Sequence, residues 1–175
     1  TDVGSTGEEI EGTNGRVQNE LFGSGVAIRG DTMAISSIWS NACGAATFGS
    51  NAGCVSIYTR SGGVWALQQK VYDTAPGGAS SWENLGGALA FSSDADTLVV
   101  GSLGENTDES GANSIMWGSG GVFIYVRSGG VWSLQRKITG PGPNGRVQYD
   151  NFGGGVSMSG ETIVFGATGR DYDEN

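Results

Sequence analysis

The sequence repeats itself at a long period, and this constrains the fold more than any other feature. The stretch NGRVQ at residues 14–18 recurs at 144–148, an offset of 130 residues (144 − 14). The block YTRSGGVWALQQK at 58–70 recurs nearly unchanged at 125–137, which is 67 residues later (125 − 58). A degenerate copy, LGGALAF at 85–91, lies between the outer copies, so 130 residues cover two units of about 65. Repeats of this length bury their apolar faces mainly against their neighbours.

Each unit contains four short segments with the composition of β-strands, which we label A to D. The A–B link is a short Gly/Asp turn, and the C–D link is Ser-Gly-Gly, whose paired glycines accept the positive φ of tight hairpin turns. The sequence therefore predicts a four-stranded antiparallel sheet in each unit, which is typical of a β-propeller blade. We expect Trp65 and Trp132, at equal positions in strand D, to fill the space between blades. The predicted strands are 25–28, 88–91 and 155–158 (A), 32–35, 97–100 and 162–165 (B), 55–58 and 122–125 (C), and 65–68 and 132–135 (D).

Recurring dipeptides at the start of strand A resemble those of a known family. They are Phe22-Gly23, Leu85-Gly86 and Phe152-Gly153. Together with Gly166-Ala167 after the last strand B, they resemble the FG-GAP repeat, which builds the β-propeller of integrin α chains and of many secreted bacterial and algal proteins. The Arg-Ser-Gly-Gly-Val-Trp hairpins are similar to the long-repeat microbial and algal branch. The resemblance implies an all-β fold of antiparallel four-stranded β-propeller blades, with about two and a half blades in this chain.

The repeat boundaries predict how the chain is divided. We expect an irregular N-terminal segment at 1–13, blade-like repeats at 14–81 and 82–143, and the first half of a third repeat, an AB hairpin, at 144–175. A lone hairpin exposes an unpaired edge and an apolar face, so we expect other polypeptide to complete it. The expected partners are further propeller sequence or another copy of the chain, and the strand at 162–165 should pair with one of them.

Charge and composition exclude several classes of function. The chain has 9 basic and 18 acidic residues, and a net charge of −9 disfavours nucleic acid and anionic membrane surfaces as partners. No apolar run reaches the roughly 18 residues of a membrane helix, so membrane insertion is not expected. Histidine, the commonest general base, is absent. We expect the carboxylates to lie in solvated turns, where none has a raised pKa, and we therefore expect no enzyme activity.

Calcium is the one cofactor for which the sequence offers candidates. In the family, calcium loops lie between strands A and B, but here that link is too short to surround an ion. Acidic loops follow strand B in the second and third copies, and their candidate ligands are Glu105, Asp108, Asp171 and Asp173. These loops hold enough oxygen atoms for a weak calcium site, but solvated acidic turns are the favoured interpretation. No other cofactor is expected.

The two cysteines indicate in which cellular compartment the protein is located. Cys43 and Cys54 are separated by eleven positions in a loop without histidine, so a zinc site lacks ligands. A disulfide is favoured over two free thiols, and a disulfide favours an extracellular or cell-surface location.

Three hypotheses for function follow. The first is a non-enzymatic extracellular structural or adhesive module of a cell surface or appendage, which could form filaments by head-to-tail contact. The second is a binding module whose loops hold a glycan or a cell-surface protein with the help of calcium. The third is that the chain is a piece of a larger secreted propeller protein.

Overall fold

The computed structural model describes residues 20–43, 46–47, 50–110, 117–140 and 148–169, and within these ranges the protein consists of strands, turns and loops without helix. An all-β fold was predicted, and it is confirmed. The strands are β1 (Phe22–Arg29), β2 (Thr32–Ser37), β3 (Ala42–Cys43), β4 (Ala46–Thr47), β5 (Cys54–Ser61), β6 (Val64–Val71), β7 (Leu85–Phe91), β8 (Thr97–Ser102), β9 (Gly121–Ser128), β10 (Val131–Thr139), β11 (Phe152–Ser159) and β12 (Thr162–Ala167).

The strands form two four-stranded antiparallel sheets and a hairpin, as the repeat predicts. The first blade has the order β1-β2-β5-β6, and the second has the same order in β7-β8-β9-β10. Their registers correspond, since Met33 lies opposite Tyr58 in the first blade and Leu98 lies opposite Tyr125 in the second. The third hairpin consists of β11 and β12. In the described residues β12 pairs with β11 alone, so its completion by other polypeptide stays a prediction.

The long B–C link of the first blade has structure that the sequence did not predict. Strands β3 and β4 form a two-residue ladder in which Ala42 lies opposite Thr47. Cys43 of this ladder forms a disulfide with Cys54 at the start of β5, with the Cα atoms 5.7 Å apart. The predicted disulfide is confirmed, and it fastens the short hairpin to the blade.

The hydrophobic core lies between the first two blades. Residues from both sheets contribute to it, and those below 10 % exposure are Ala34, Val55, Ile57, Val71, Leu85, Leu98, Val100, Phe123, Tyr125 and Trp132. Because the members alternate along their strands, each sheet presents one face to this core. Trp132 lies in it as predicted, at 3 % exposure, while its counterpart Trp65 on β6 is only half-buried.

A backbone ladder sets the distance between consecutive blades. The N–H of Leu85, at the start of the second blade, donates to the Ala52 carbonyl of the first at 3.0 Å, and Phe152 donates in the same way to Ser119 at 3.0 Å. Parallel bridges join Gly53 to Leu85 and Gly120 to Phe152. Both glycines have positive φ, +93° and +83°, and a Cβ on either would collide with the backbone of the next blade. Glycine is therefore required at each junction on two separate grounds.

We expect Gly120→Ala to lower the free energy of unfolding by roughly 2–4 kcal/mol, because it combines an unfavourable φ with a backbone collision. Gly155→Ala on β11 is the matched control: a Cβ there meets nothing within 4 Å, and the equivalent position of the second blade is already alanine, Ala88. Urea unfolding of both variants measures the difference. If both variants lose the same free energy of unfolding, the backbone ladder does not set the distance between the blades.

Removing the disulfide with the double substitution Cys43→Ala and Cys54→Ala should cost about 3 kcal/mol, the loop-closure entropy of an 11-residue separation. Urea unfolding with and without reductant measures this loss. Reductant should destabilise the wild type and leave the double variant unchanged. A double variant as stable as the oxidised wild type would contradict the expectation.

No helix in the described ranges has both the length and the apolar character needed to cross a membrane.

Candidate functional site

Four charged side chains meet where the first blade joins the second. Asp73 follows the last strand of the first blade, Glu83 precedes β7, Glu105 follows β8, and Lys137 lies on β10. We call these four residues the junction cluster. All are buried: the carboxylates are at most 1 % exposed and Lys137 is 5 % exposed.

Each carboxylate of the junction cluster is held in place by its own loop. One oxygen of each accepts a hydrogen bond from a backbone N–H two or three residues away in the chain. The pairs are Ala75 N–H to Asp73 Oδ1 (2.6 Å), Ser80 N–H to Glu83 Oε1, and Thr107 N–H to Glu105 Oε1 (2.6 Å). The tight loops after β6 and β8 and before β7 therefore fix the orientation of all three side chains.

One oxygen from each carboxylate lies within 4.8 Å of the others, and Lys137 contacts two of the three groups. Its Nζ is 3.4 Å from Asp73 Oδ2 and 3.0 Å from Glu105 Oε2. The same ammonium donates to Thr107 Oγ1 at 2.7 Å. Among the described residues, Glu83 Oε2 and Glu105 Oε2 are both buried without a hydrogen-bond partner, and Glu105 Oε2 has only its ion pair with Lys137.

Burial and mutual repulsion dominate the electrostatics of the cluster. Burial first, and then the negative charge of Glu105, raise the pKa of Glu83 to about 8, although the hydrogen bonds from Ser80 oppose the rise. Burial also raises the pKa of Asp73, while the nearby Lys137 ammonium lowers it. At neutral pH, and with no metal ion bound, Glu83 is therefore largely protonated.

This arrangement corrects one expectation from the sequence. We predicted carboxylates in solvated turns with no raised pKa, and this is wrong for Asp73 and Glu83, which are buried with raised pKa values. Sequence reasoning did not single out Asp73, Glu83 or Lys137. A signal for Glu83 did exist, because the same place in the other copies holds Glu20 and Asp150.

The predicted calcium ligands are not brought together as a set. Glu105 belongs to the junction cluster, where it faces Asp73 and Glu83. Asp108 is half-buried outside that cluster and accepts from the N–H and hydroxyl of Ser110 at 2.9 and 2.6 Å. Asp171 and Asp173 lie outside the described residues. Calcium binding by the two acidic loops stays a prediction.

The structural-repeat residues lie at corresponding places. Phe22, Leu85 and Phe152 each begin strand A of their unit, and an irregularity in the register follows each of them. The glycines after them, Gly23, Gly86 and Gly153, all have positive φ. The Phe152 ring packs edge-on against Phe165 across the third hairpin, with ring centroids 4.9 Å apart.

Comparison with known families agrees with this repeated geometry. The sequence model of the FG-GAP repeat matches residues 132–175. This chain carries an FG-GAP repeat. The matched segment runs from β10 to beyond β12, and the internal repetition extends the same strand order back to β1. No curated protein matches the chain. Its place in the long-repeat microbial and algal branch stays a prediction.

The raised pKa of Glu83 predicts how stability depends on pH. The folded state binds a proton with a pKa of about 8, whereas the ordinary value is 4.5. The resulting stabilisation is therefore complete below pH 4.5 and is lost as the pH rises through 8. In buffer without divalent cations, the free energy of unfolding should fall by up to about 1.4 kcal/mol per pH unit between these values.

Urea unfolding from pH 5.5 to 8.5 measures this slope. Glu83→Gln serves as the comparison because it keeps the shape of the side chain and does not titrate. Its stability should depend less on pH than that of the wild type. If the free energy of unfolding depends on pH in the same way in both proteins, the raised pKa does not belong to Glu83.

Proposed function

We propose that this chain is a non-enzymatic structural or adhesive repeat module that works outside the cell, at a cell surface or in an appendage, and assembles through its blade faces. The FG-GAP repeat and the Cys43–Cys54 disulfide support a secreted module, because disulfides persist in oxidising compartments. The observation that carries the proposal is the exposure of two apolar side chains, Val26 and Ile28, at places where the second blade has covered ones.

The leading face is the face that a blade turns toward the preceding blade. In the second blade Leu89 and Phe91 on β7 pack against the core between the blades. Val26 and Ile28 hold the same places on β1 of the first blade, and they are 68 % and 63 % exposed. Exposed apolar side chains arranged like a buried set favour an interaction surface.

Two polar details of the leading face support the same conclusion. Tyr125 of the second blade donates its hydroxyl to the Tyr72 carbonyl of the first at 2.8 Å. The equivalent hydroxyl of Tyr58 is buried and has no such partner from another blade in the described residues. Trp132 likewise donates its indole N–H to Gln68 of the preceding blade at 3.0 Å, whereas Trp65, in the same place, is half-buried.

The third hairpin offers a complementary surface on its far side, the trailing face. Ala34 and Val99 hold equivalent places on the trailing faces of the first two blades, and both are fully buried. Val164 holds that place on β12 and is 64 % exposed. A leading face at one end and a trailing face at the other can join copies head to tail, into a ring or a filament.

The burial of the carboxylates, which keeps a substrate from reaching them, supports the non-enzymatic part of the proposal. The carboxylates with raised pKa values, Asp73 and Glu83, are at most 1 % exposed. A substrate would have to separate the two blades in order to reach them.

Sedimentation velocity over a range of concentrations tests the assembly. The wild type should self-associate as concentration rises, and the double variant Val26→Asp, Ile28→Asp should stay monomeric, because charges on the leading face cannot be buried against another blade. Val164→Asp, which places a charge on the trailing face of the third hairpin, should also weaken association. Val131→Asp, at an exposed hairpin end, is the control and should associate like the wild type.

A wild type that remains monomeric at every concentration would refute assembly through blade faces. The proposal would also be refuted if Val131→Asp reduced self-association as much as the double variant on the leading face.

A further inference from the structure

We propose that the junction cluster is a binding site for one Ca²⁺ ion, held between the first and second blades by Asp73, Glu83 and Glu105. This site differs from the acidic loops that the sequence suggested, since it uses three separated segments and excludes Asp108. The proposal does not depend on assembly through the blade faces.

The ligand oxygens are preorganised. Each carboxylate is anchored through one oxygen to a backbone N–H of its own loop. This leaves Asp73 Oδ2, Glu83 Oε2 and Glu105 Oε2 free of those anchors, and one oxygen of each carboxylate lies within 4.8 Å of the others. Two ligands of the same Ca²⁺ ion, each at 2.3–2.6 Å, lie at most about 5 Å apart. The spacing therefore suits a shared ion.

An orphaned atom points to a missing cation. Glu83 is fully buried, and its Oε2 has no hydrogen-bond partner in the part of the chain that the structure describes. A buried carboxylate oxygen without a donor is unfavourable unless a cation or a proton satisfies it. The neighbours within the cluster are two further carboxylates and an ammonium that already contacts both of them. Glu105 Oε2, although 3.0 Å from that ammonium, makes no hydrogen bond within the described part of the chain either, so the unsatisfied oxygens are on Glu83 and Glu105.

The charge balance favours a divalent ion. Three ionised carboxylates and one ammonium leave two negative charges in a site closed to water, and one divalent cation neutralises them completely. A single proton on Glu83 leaves one charge uncompensated.

Lys137 does not exclude the ion. A carboxylate oxygen has more than one acceptor position, so Asp73 Oδ2 and Glu105 Oε2 can contact the ammonium and ligate a cation together. The ammonium repels the ion, so the affinity should be lower than at an all-carboxylate site.

The repeat predicts one site of this kind per chain. At the next junction the places of Asp73 and Glu105 are taken by Gly140 and Arg170, and in the first unit Ser40 takes the place of Glu105. Those positions cannot supply the same three carboxylates. The expected stoichiometry is therefore one Ca²⁺.

Isothermal titration and thermal unfolding of the full chain with CaCl₂ at pH 7.5 test the proposal. The wild type should bind one Ca²⁺ and unfold at a higher temperature in its presence. Glu83→Gln should bind at least tenfold more weakly and lose the thermal shift, because the amide satisfies the cluster without a charge. Asp108→Asn removes an acidic group outside the cluster and should behave like the wild type.

A wild type that gives no heat and no thermal shift with millimolar CaCl₂ would overturn the proposal, and would leave a proton on Glu83 as the neutralising group. Binding that survives Glu83→Gln but is lost in Asp108→Asn would also overturn it, in favour of the acidic loop. Because the wild-type titration is decisive by itself, the test stands even if the glutamine variant fails to fold.

Discussion

The close approach of consecutive blades is the constraint on which the rest of the structure depends. A four-stranded sheet has two faces, and in the described ranges the second blade covers one face of the first. The approach is set by backbone contacts, Leu85 on Ala52 and Phe152 on Ser119, at places where Gly53 and Gly120 leave no room for a side chain. The apolar core between the first two blades follows from this spacing.

The same approach creates the polar site. The loops that connect the blades carry Asp73, Glu83 and Glu105, and stacking brings these loops together around Lys137 of the second blade. A cluster with three acids and one base is unfavourable in a dry interior unless something neutralises the excess charge. A proton on Glu83, or the proposed Ca²⁺, would neutralise part of this excess and so stabilise the contact between the blades. Cation uptake and blade packing are thus linked at one junction.

Strand order, hairpins and the disulfide could be predicted because they depend on residues close in the chain. The paired glycines Gly62 and Gly63 define the C–D turn, and they do have positive φ. The β3–β4 ladder could not be predicted, since its two-residue strands are too short for a pattern. Trp65 and Trp132 lie in nearly identical local sequences, yet only Trp132 is buried, because burial depends on which blade stands next to it.

Local sequence was enough to predict the repeat, the four strands of the first two units and the cysteine pair, because turn chemistry and alternation act over a few residues. Asp73 and Lys137, 64 residues apart, share one buried site as a result of the way the blades stack. Glu105 looked like a member of an exposed acidic loop and is instead fully buried beside Asp73 and Glu83. The physical reason is that local spacing defines a blade, whereas the environment of a side chain at its edge is defined by the neighbouring blade.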